Sequence, residues 1–202
     1  MHISEGILSA PVLISGGVIA VAGTILGLKK VDLARIMPTA LLSSAFFVAS
    51  LIHVPLGPGS VHLVLNGLLG IILGWSSFPA ILIALFLQAI FFQFGGLVVL
   101  GVNTVTMAVP ALCCYYLTRP WLKQKNPKIR AVAAFTAGAL AIFLSSLLMA
   151  LALALSDSGF LTTAKVIIGA NVPIMIIEGF ITMFTVTFLA KVQPEILNLG
   201  QS

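Results

Sequence analysis

Long apolar stretches separated by short polar connections run along the whole chain. Each stretch ends at a charge, a proline or a glycine, and seven can be distinguished: 11–28, 36–54, 61–74, 79–93, 98–118, 131–155 and 166–190. The third and fourth fall short of the about 20 residues that a helix needs to cross the hydrocarbon core, so we expect tilted, extended or partly broken helices there. The pattern predicts an all-α polytopic membrane protein with about seven transmembrane helices.

The segment 74–79 decides between seven spans and six. Its sequence, Gly-Trp-Ser-Ser-Phe-Pro, is typical of an interfacial turn with an aromatic anchor. Merging the third and fourth stretches would place the basic residues of 119–130 on the opposite side from Lys29, Lys30 and Arg35. With seven spans and the N-terminus outside, every Lys and Arg except Lys165 faces the cytoplasm, as the positive-inside rule requires. The sequence therefore predicts seven spans in the inner or plasma membrane, with an extracytoplasmic N-terminus.

The overall composition supports a membrane protein. Hydrophobic residues make up 60% of the 202 residues, charged residues 7%, and the mean hydropathy is +1.20. Soluble domains average about 45–50% apolar and about 25% charged residues. The net charge of +5 could suggest a nucleic-acid partner, but the basic residues lie between apolar spans, where membrane orientation explains them. Nucleic acid is therefore excluded as a partner, and the lipid bilayer is expected as the surroundings.

A histidine at position two makes the chain start a candidate metal chelate. The amine of Met1, the amide nitrogen of His2 and its Nδ1 can close fused five- and six-membered rings around one cation. Such a site suits Ni(II), Cu(II) and, less commonly, Co(II), and it leaves a fourth corner for an imidazole from His53 or His62. The alternative is a chance histidine. We expect no secretory leader, because the start lacks a basic region and a small-residue cleavage site.

The second candidate cluster follows the Pro- and Gly-rich segment 57–59. Ser60 is a plausible N-cap, which predicts His62 in the first turn of the third helix, with Asn66 on the same helix face. Asn66 could hold the second nitrogen of the imidazole, or it could serve the main chain. The alternative for His62 is an interfacial histidine bonded to water. His53 is predicted to be an exposed loop residue.

Three sequence blocks resemble the CbiM/NikM family, the substrate-binding S components of cobalt and nickel energy-coupling-factor transporters. They are the opening Met-His-Ile-x-x-Gly, the block Ser-Val-His-Leu-Val-Leu-Asn-Gly at 60–67, and Gln-Phe-Gly-Gly-Leu at 93–97 followed by Gly-Val-Asn-Thr at 101–104. The resemblance spans essentially the full length and implies a seven-helix bundle into which the N-terminal segment tucks. It implies a metal site of the Met1 amine, the His2 amide nitrogen, the His2 imidazole and the His62 imidazole. In that picture Asn66 and Asn103 support the site rather than bind the ion, and Ser60, within the second block, is a further candidate for a supporting role.

The resemblance also implies a division of the chain and a function. We expect one integral membrane domain over 1–202, with an outer metal-binding segment (1–9), a helical bundle (10–190) and a cytoplasmic tail (191–202). The expected transported ion is Co(II), with Ni(II) a close second, and no catalytic cofactor is expected. The chain departs from the family at Phe94, where many members have His, which leaves the metal preference open. Binding should weaken as pH falls, because it displaces protons from the terminal amine and the amide.

We expect a transport subunit rather than an enzyme. The sequence lacks a Gly-x-x-x-x-Gly-Lys-Ser/Thr phosphate loop, so ATP hydrolysis is assigned to partners. The family implies a transmembrane coupling subunit, two ATPase subunits and a small accessory membrane protein. The alternative is a secondary, ion-coupled divalent metal transporter with Glu178 as the coupling carboxylate.

Glu178 and two glutamines are the notable polar residues inside the apolar stretches. An intramembrane carboxylate is costly and is by default a functional candidate. Glu178 is predicted to make an interhelical hydrogen bond; relay of a conformational change, proton uptake and direct metal contact are the alternatives. Gln88 and Gln93 are predicted to bond neighbouring helices.

Overall fold

Helices make up nearly all of the structure, which is a computed structural model. It describes residues 2–31, 36–51, 53–56 and 59–197, so Met1 and the end of the predicted tail lie outside the described residues. The main elements are α1 (Ala10–Leu28), α2 (Ile36–Ala49), β1 (His53–Leu56), β2 (Gly59–His62), α3 (Asn66–Leu73), α4 (Ser77–Phe92), α5 (Leu100–Leu122), α6 (Pro127–Ser156), α7 (Leu161–Ala170) and α8 (Val172–Val192). Short 3-10 turns occupy Gly74–Ser76, Ser158–Phe160 and Pro194–Leu197.

Several helical runs have the length and composition of membrane spans. Within the described residues, five qualify: Ala10–Leu28, Asn66–Phe92, Leu100–Leu122, Pro127–Ser156 and Leu161–Val192. The apolar α2 is shorter, at 14 residues. Large apolar side chains cover the outer surface, and Phe184 and Phe188 are 66% and 62% exposed. Such a surface suits lipid rather than water, which confirms the predicted polytopic membrane protein; the count of seven spans and the side of the N-terminus stay predictions.

The segment between α2 and α3 differs from the prediction. The second apolar stretch was expected to be helical to residue 54 and the third from residue 61, but β1 and β2 form an antiparallel hairpin there, with His53 opposite His62. Pro55 has no N–H for a helix, and β-branched Val54 and Val61 favour extended backbone. The predicted placement of His62 in a helical turn capped by Ser60, with Asn66 on the same helix face, is therefore wrong.

Helix α3 lies at the centre of the bundle. All eight of its residues are buried, and it packs against α5 and α6. Glycines permit the close approach: a Cβ on Gly70 would collide with the Ala111 carbonyl, and one on Gly67 would lie 2.7 Å from the Ala137 carbonyl oxygen. Because α3 is central, the residues that lead into it, 62–65, also lie within the bundle.

The predicted third and fourth spans follow one another through the 3-10 turn Gly74–Ser76. Gly74 has φ +54°, a conformation that glycine adopts without a side-chain clash. The predicted seventh span is divided into α7 and α8 at buried Asn171, whose Nδ2 donates to the Ile167 carbonyl at 2.8 Å. Helix α8 packs closely on α6. This packing brings Glu178 of α8 next to Val64 and Leu65, which follow the hairpin.

Candidate metal centre

The N-terminal segment enters the bundle at His2 and Ile3, which are 5% and 0% exposed. Asn103 of α5 holds it there through two reciprocal hydrogen bonds. The N–H of Ile3 donates to Asn103 Oδ1 at 2.9 Å, and Asn103 Nδ2 donates to the Ile3 carbonyl at 3.1 Å. One side chain thus pairs with both main-chain groups of Ile3, which fixes the position of the preceding histidine.

A glycine pair lets the loop after α4 close over this segment. Gly95 and Gly96 have φ +75° and +123°. A Cβ on Gly95 would lie 2.8 Å from Asn103 Nδ2, and one on Gly96 would collide with the Glu5 side chain. Glu5 in turn accepts a hydrogen bond from the N–H of Val98 at 2.8 Å. The glycines are therefore needed both for backbone conformation and for space.

The imidazoles of His2 and His62 face each other inside the protein. His62 ends β2 and is 2% exposed. Its Nε2 lies 3.0 Å from Nδ1 of His2, with ring centroids 4.7 Å apart and an interplanar angle of 31°. Two buried nitrogens from positions 60 residues apart in the chain thus come within contact distance.

In each ring, the outer nitrogen, which is the one that points away from the other ring, lies within hydrogen-bond distance of an oxygen that can only accept a hydrogen bond. His62 Nδ1 lies 2.7 Å from the Leu63 carbonyl oxygen, and His2 Nε2 lies 2.8 Å from Gln88 Oε1. The Gln88 amide nitrogen donates to the Ser50 hydroxyl and to the Phe47 carbonyl, the latter at 3.3 Å, which directs its oxygen to His2. Because an oxygen acceptor requires an N–H, each neutral ring has its proton on the outer nitrogen.

With these tautomers, the lone pairs of His62 Nε2 and His2 Nδ1 face each other across the 3.0 Å that separates the two atoms. Burial lowers the pKa of His62 to about 4, although its bond to the Leu63 carbonyl raises it. The ring is therefore neutral at pH 7, and its inner nitrogen is available as a ligand. Facing lone pairs repel unless a cation lies between them. In a square site with metal–nitrogen bonds of about 2.0 Å, adjacent ligands are about 2.8 Å apart, close to the observed spacing.

The other predicted site residues have different surroundings. Asn66 Nδ2 donates to the Met107 carbonyl at 3.2 Å and to the Ser145 hydroxyl at 2.8 Å, so these contacts anchor the start of α3. The side chains of His53 and Ser60 lie outside what the structure describes, as does Met1. Within residues 2–31, 36–51, 53–56 and 59–197, no three His, Cys, Asp or Glu side chains group as a metal cluster.

Two polar residues have roles at the site that the sequence did not reveal. Gln88 was predicted to bond a neighbouring helix, and it does reach Phe47 of α2, but it also holds the His2 ring. Glu178 was predicted to bond another helix; its Oε1 instead accepts the N–H groups of Val64 and Leu65, just after His62. The sequence signal for both residues is a polar side chain within an apolar run. This signal indicates that the residue is important, but it does not indicate which group the side chain contacts.

Comparison with known proteins establishes the family. The family model CbiM, described as the cobalt uptake substrate-specific transmembrane region, matches residues 2–196. The chain belongs to the CbiM family. Its relatives include a putative metal transport protein of Haemophilus influenzae, 45% identical over 98% of this chain and 97% of that protein. The cobalt transport protein CbiM of Clostridium tetani is 32% identical over 99% and 89%.

A solved structure shares the fold. The crystal structure of a truncated transition metal transporter superposes with a TM-score of 0.84, at 27% identity over 95% of this chain and 99% of that one. This likeness and the family match confirm the resemblance and the helical membrane architecture. They also place the chain in a family of transport proteins, in agreement with the predicted function class.

Some relatives are fused to a further component. The putative fused nickel transport protein NikMN of Archaeoglobus fulgidus is 28% identical over 98% of this chain and 68% of its own length. The putative fused cobalt transport protein CbiMQ of Methanocorpusculum labreanum is 26% identical over 97% and 36%. In these relatives, the region that matches this chain is joined to additional sequence.

Proposed function

We propose that this CbiM-family protein binds Co(II), with Ni(II) as a close second, as the substrate-binding S component of an energy-coupling-factor importer. The ligands are the Met1 amine, the His2 main-chain nitrogen, His2 Nδ1 and His62 Nε2. The observation that supports this most is the 3.0 Å distance between His62 Nε2 and His2 Nδ1 inside the protein. A cation can bind both nitrogens at this spacing.

The order of ligands in the chelate explains why His62 lies where it does. The His2 main-chain nitrogen takes the middle of three corners, flanked by the amine and the imidazole. The remaining corner is opposite that nitrogen and adjacent to His2 Nδ1. The observed neighbour of His2 Nδ1 is His62 Nε2, so the contact fits a four-nitrogen tetragonal site.

Ligand chemistry and family membership favour different metals of the candidate pair. Nitrogen ligands in a tetragonal arrangement favour Ni(II) over Co(II), whereas the family description names cobalt. A competition titration of the purified protein tests the choice. We expect both ions to bind one site and displace each other; binding at separate sites would contradict the proposal. Neighbouring genes for cobalamin biosynthesis would favour cobalt, and a nickel enzyme would favour nickel.

Release of an ion from this buried site requires a change of conformation, which partners are proposed to drive. The fused relatives support partner components. We assign a transmembrane coupling subunit, two ATPase subunits and a small accessory membrane protein to the complex. His2 and His62 lie together, and the distribution of basic residues predicts that they are on the outer side of the membrane. The ion is therefore captured outside and delivered inward.

Uptake should depend on ATP hydrolysis by the partners. We expect a substitution that inactivates the partner ATPase to abolish cellular uptake of labelled Co(II), while collapse of the proton gradient with ATP maintained leaves uptake unchanged. The reverse pattern would favour the secondary transporter with Glu178 as coupling group. Binding by the purified chain serves as the control, because it should be the same in either case.

Asn103→Ala should weaken metal binding without abolishing it. The substitution removes both bonds to Ile3, so His2 loses its fixed position. Loss of groups that orient a ligand costs about 10–100-fold in affinity, and calorimetry with Ni(II) measures it. Asn171→Ala is the matched control, because Asn171 is equally buried but bonds the main chain of its own helical segment. Equal affinities for both variants would contradict the role given to Asn103.

A further inference from the structure

We propose that Glu178 is a positioning residue of the metal site, which fixes the turn between β2 and α3 and thereby the imidazole of His62. The inference rests on the proposed function. It gives the buried carboxylate a task that differs both from metal ligation and from the proton coupling of a secondary transporter.

One oxygen of Glu178 binds two consecutive main-chain groups. The residue is fully buried on α8, and its Oε1 accepts the N–H of Val64 at 2.5 Å and the N–H of Leu65 at 2.8 Å. Successive N–H groups that converge on one oxygen form a nest, an arrangement suited to a carboxylate. These N–H groups immediately precede α3, where a helix leaves donors without partners inside the helix.

The turn that these bonds fix has an unusual backbone conformation. Leu65 has φ +58° and ψ +14°, the left-handed region that residues other than Gly, Asn and Asp seldom adopt. Such a conformation persists only where the surroundings determine it, and it is enriched at functional sites. The two hydrogen bonds to Glu178 hold Leu65 in this conformation. Glu178 lies on a helix more than 100 residues later in the sequence.

The turn controls the orientation of His62 through the intervening residue. His62 Nδ1 bonds the carbonyl of Leu63, whose position follows from the peptide that joins it to Val64. A fixed Leu63 carbonyl directs Nε2 of His62 to His2 Nδ1. Asn66 anchors the helix side of the same turn through Met107 and Ser145. Glu178 is thus two bonded steps from a proposed ligand and does not touch the ion.

The part of α8 that carries Glu178 packs tightly against α6. The main-chain carbonyl of Glu178 and the hydroxyl of Thr182 pack against Gly138 of α6, where a Cβ would lie 2.5 Å and 2.6 Å from these oxygens. Because α6 and α8 are in contact at Glu178, these two long helices fix the position of its carboxylate. The carboxylate in turn fixes the position of the turn. Removal of the oxygen should therefore release the turn while leaving the helices in place.

The test uses Ni(II) as the probe and the full chain in detergent, with the absorption band of the bound ion as the readout. Loss of one nitrogen ligand to water shifts this band to longer wavelength, and His62→Ala supplies the reference spectrum for that loss. We expect Glu178→Leu to shift the spectrum part of the way toward that of His62→Ala, because a misplaced His62 binds the ion less well but is not absent, and to lower the affinity about 10–100-fold below wild type. Glu178→Gln keeps an acceptor oxygen, so its spectrum and affinity should resemble wild type more than Glu178→Leu.

Thr182→Val is the matched control: Thr182 is fully buried one turn further along α8, and valine keeps the size and branching of the side chain that packs on Gly138 while removing the polar hydroxyl. It should leave the spectrum unchanged. If Glu178→Leu does not fold, Glu178→Asp decides, because its side chain is shorter by one methylene and its carboxylate cannot reach both N–H groups; we expect the same partial shift toward the His62→Ala spectrum. A wild-type spectrum and affinity in the variant that folds would overturn this inference alone. An unchanged spectrum in His62→Ala would overturn the proposed metal site and this inference with it.

Discussion

A three-residue extension ahead of Met1 is expected to abolish high-affinity binding of Co(II) and Ni(II). The extension converts the Met1 amine into a peptide nitrogen and moves the new amine away from the ring system. The five-membered ring between the amine and the His2 main-chain nitrogen is then lost, and only the six-membered ring of His2 remains. The loss should exceed the about 10–100-fold that removal of an outer-shell partner costs, and isothermal titration calorimetry measures it.

The length of the extension matters for the interpretation. A single added residue would make His2 the third residue, where an amine, two main-chain nitrogens and the imidazole could fill all four corners by themselves. Three added residues avoid this arrangement. The same residues added after Ser202 provide the control, which should bind as wild type. An N-terminally extended protein with native affinity would show that the Met1 amine is not a ligand.

His62→Ala is expected to cause the second large loss of affinity. The substitution removes the one ligand that does not belong to the N-terminal chelate and leaves a corner to water. We expect a loss greater than about 100-fold, because a ligand contributes more than its outer-shell partners, with normal expression since the ring lies at the end of β2 rather than within a helix. Calorimetry and the Ni(II) absorption band report the change independently.

His53→Ala is the matched control for this variant. His53 lies opposite His62 in the hairpin, so the two substitutions alter the same strands. The variant should bind Ni(II) with native affinity. Loss of binding in His53→Ala together with native binding in His62→Ala would transfer the fourth corner to His53, the alternative that the sequence left open.

The membrane architecture could be predicted because apolar runs encode it directly. The stretch 98–118 became α5 (Leu100–Leu122), and the stretch 131–155 became α6 (Pro127–Ser156). A helix in lipid must satisfy its own backbone, so a long apolar run has few alternatives. The hairpin at 53–62 is not evident from the pattern, because a short apolar run fits a strand or a helix equally well, and Pro55 is the one residue there that argues against a continuous helix.

The site was only partly predictable for a different reason. His2 and His62 could be proposed from residue chemistry, and Asn103 came from the family resemblance rather than from any local pattern. The partners of Gln88 and Glu178 lie 86 and 114 positions away along the chain. Which faces of distant helices meet is set by packing among α3, α6 and α8, where glycines allow close approach. The spacing of polar residues in one sequence does not contain that information.

Crystals of the protein with Ni(II), measured at the nickel absorption edge, test the central claim most directly. The anomalous signal locates the ion without reference to any assumed ligand. We predict a single peak between His2 Nδ1 and His62 Nε2, about 2.0 Å from each and at the same distance from the Met1 amine. A peak away from these nitrogens would contradict the account.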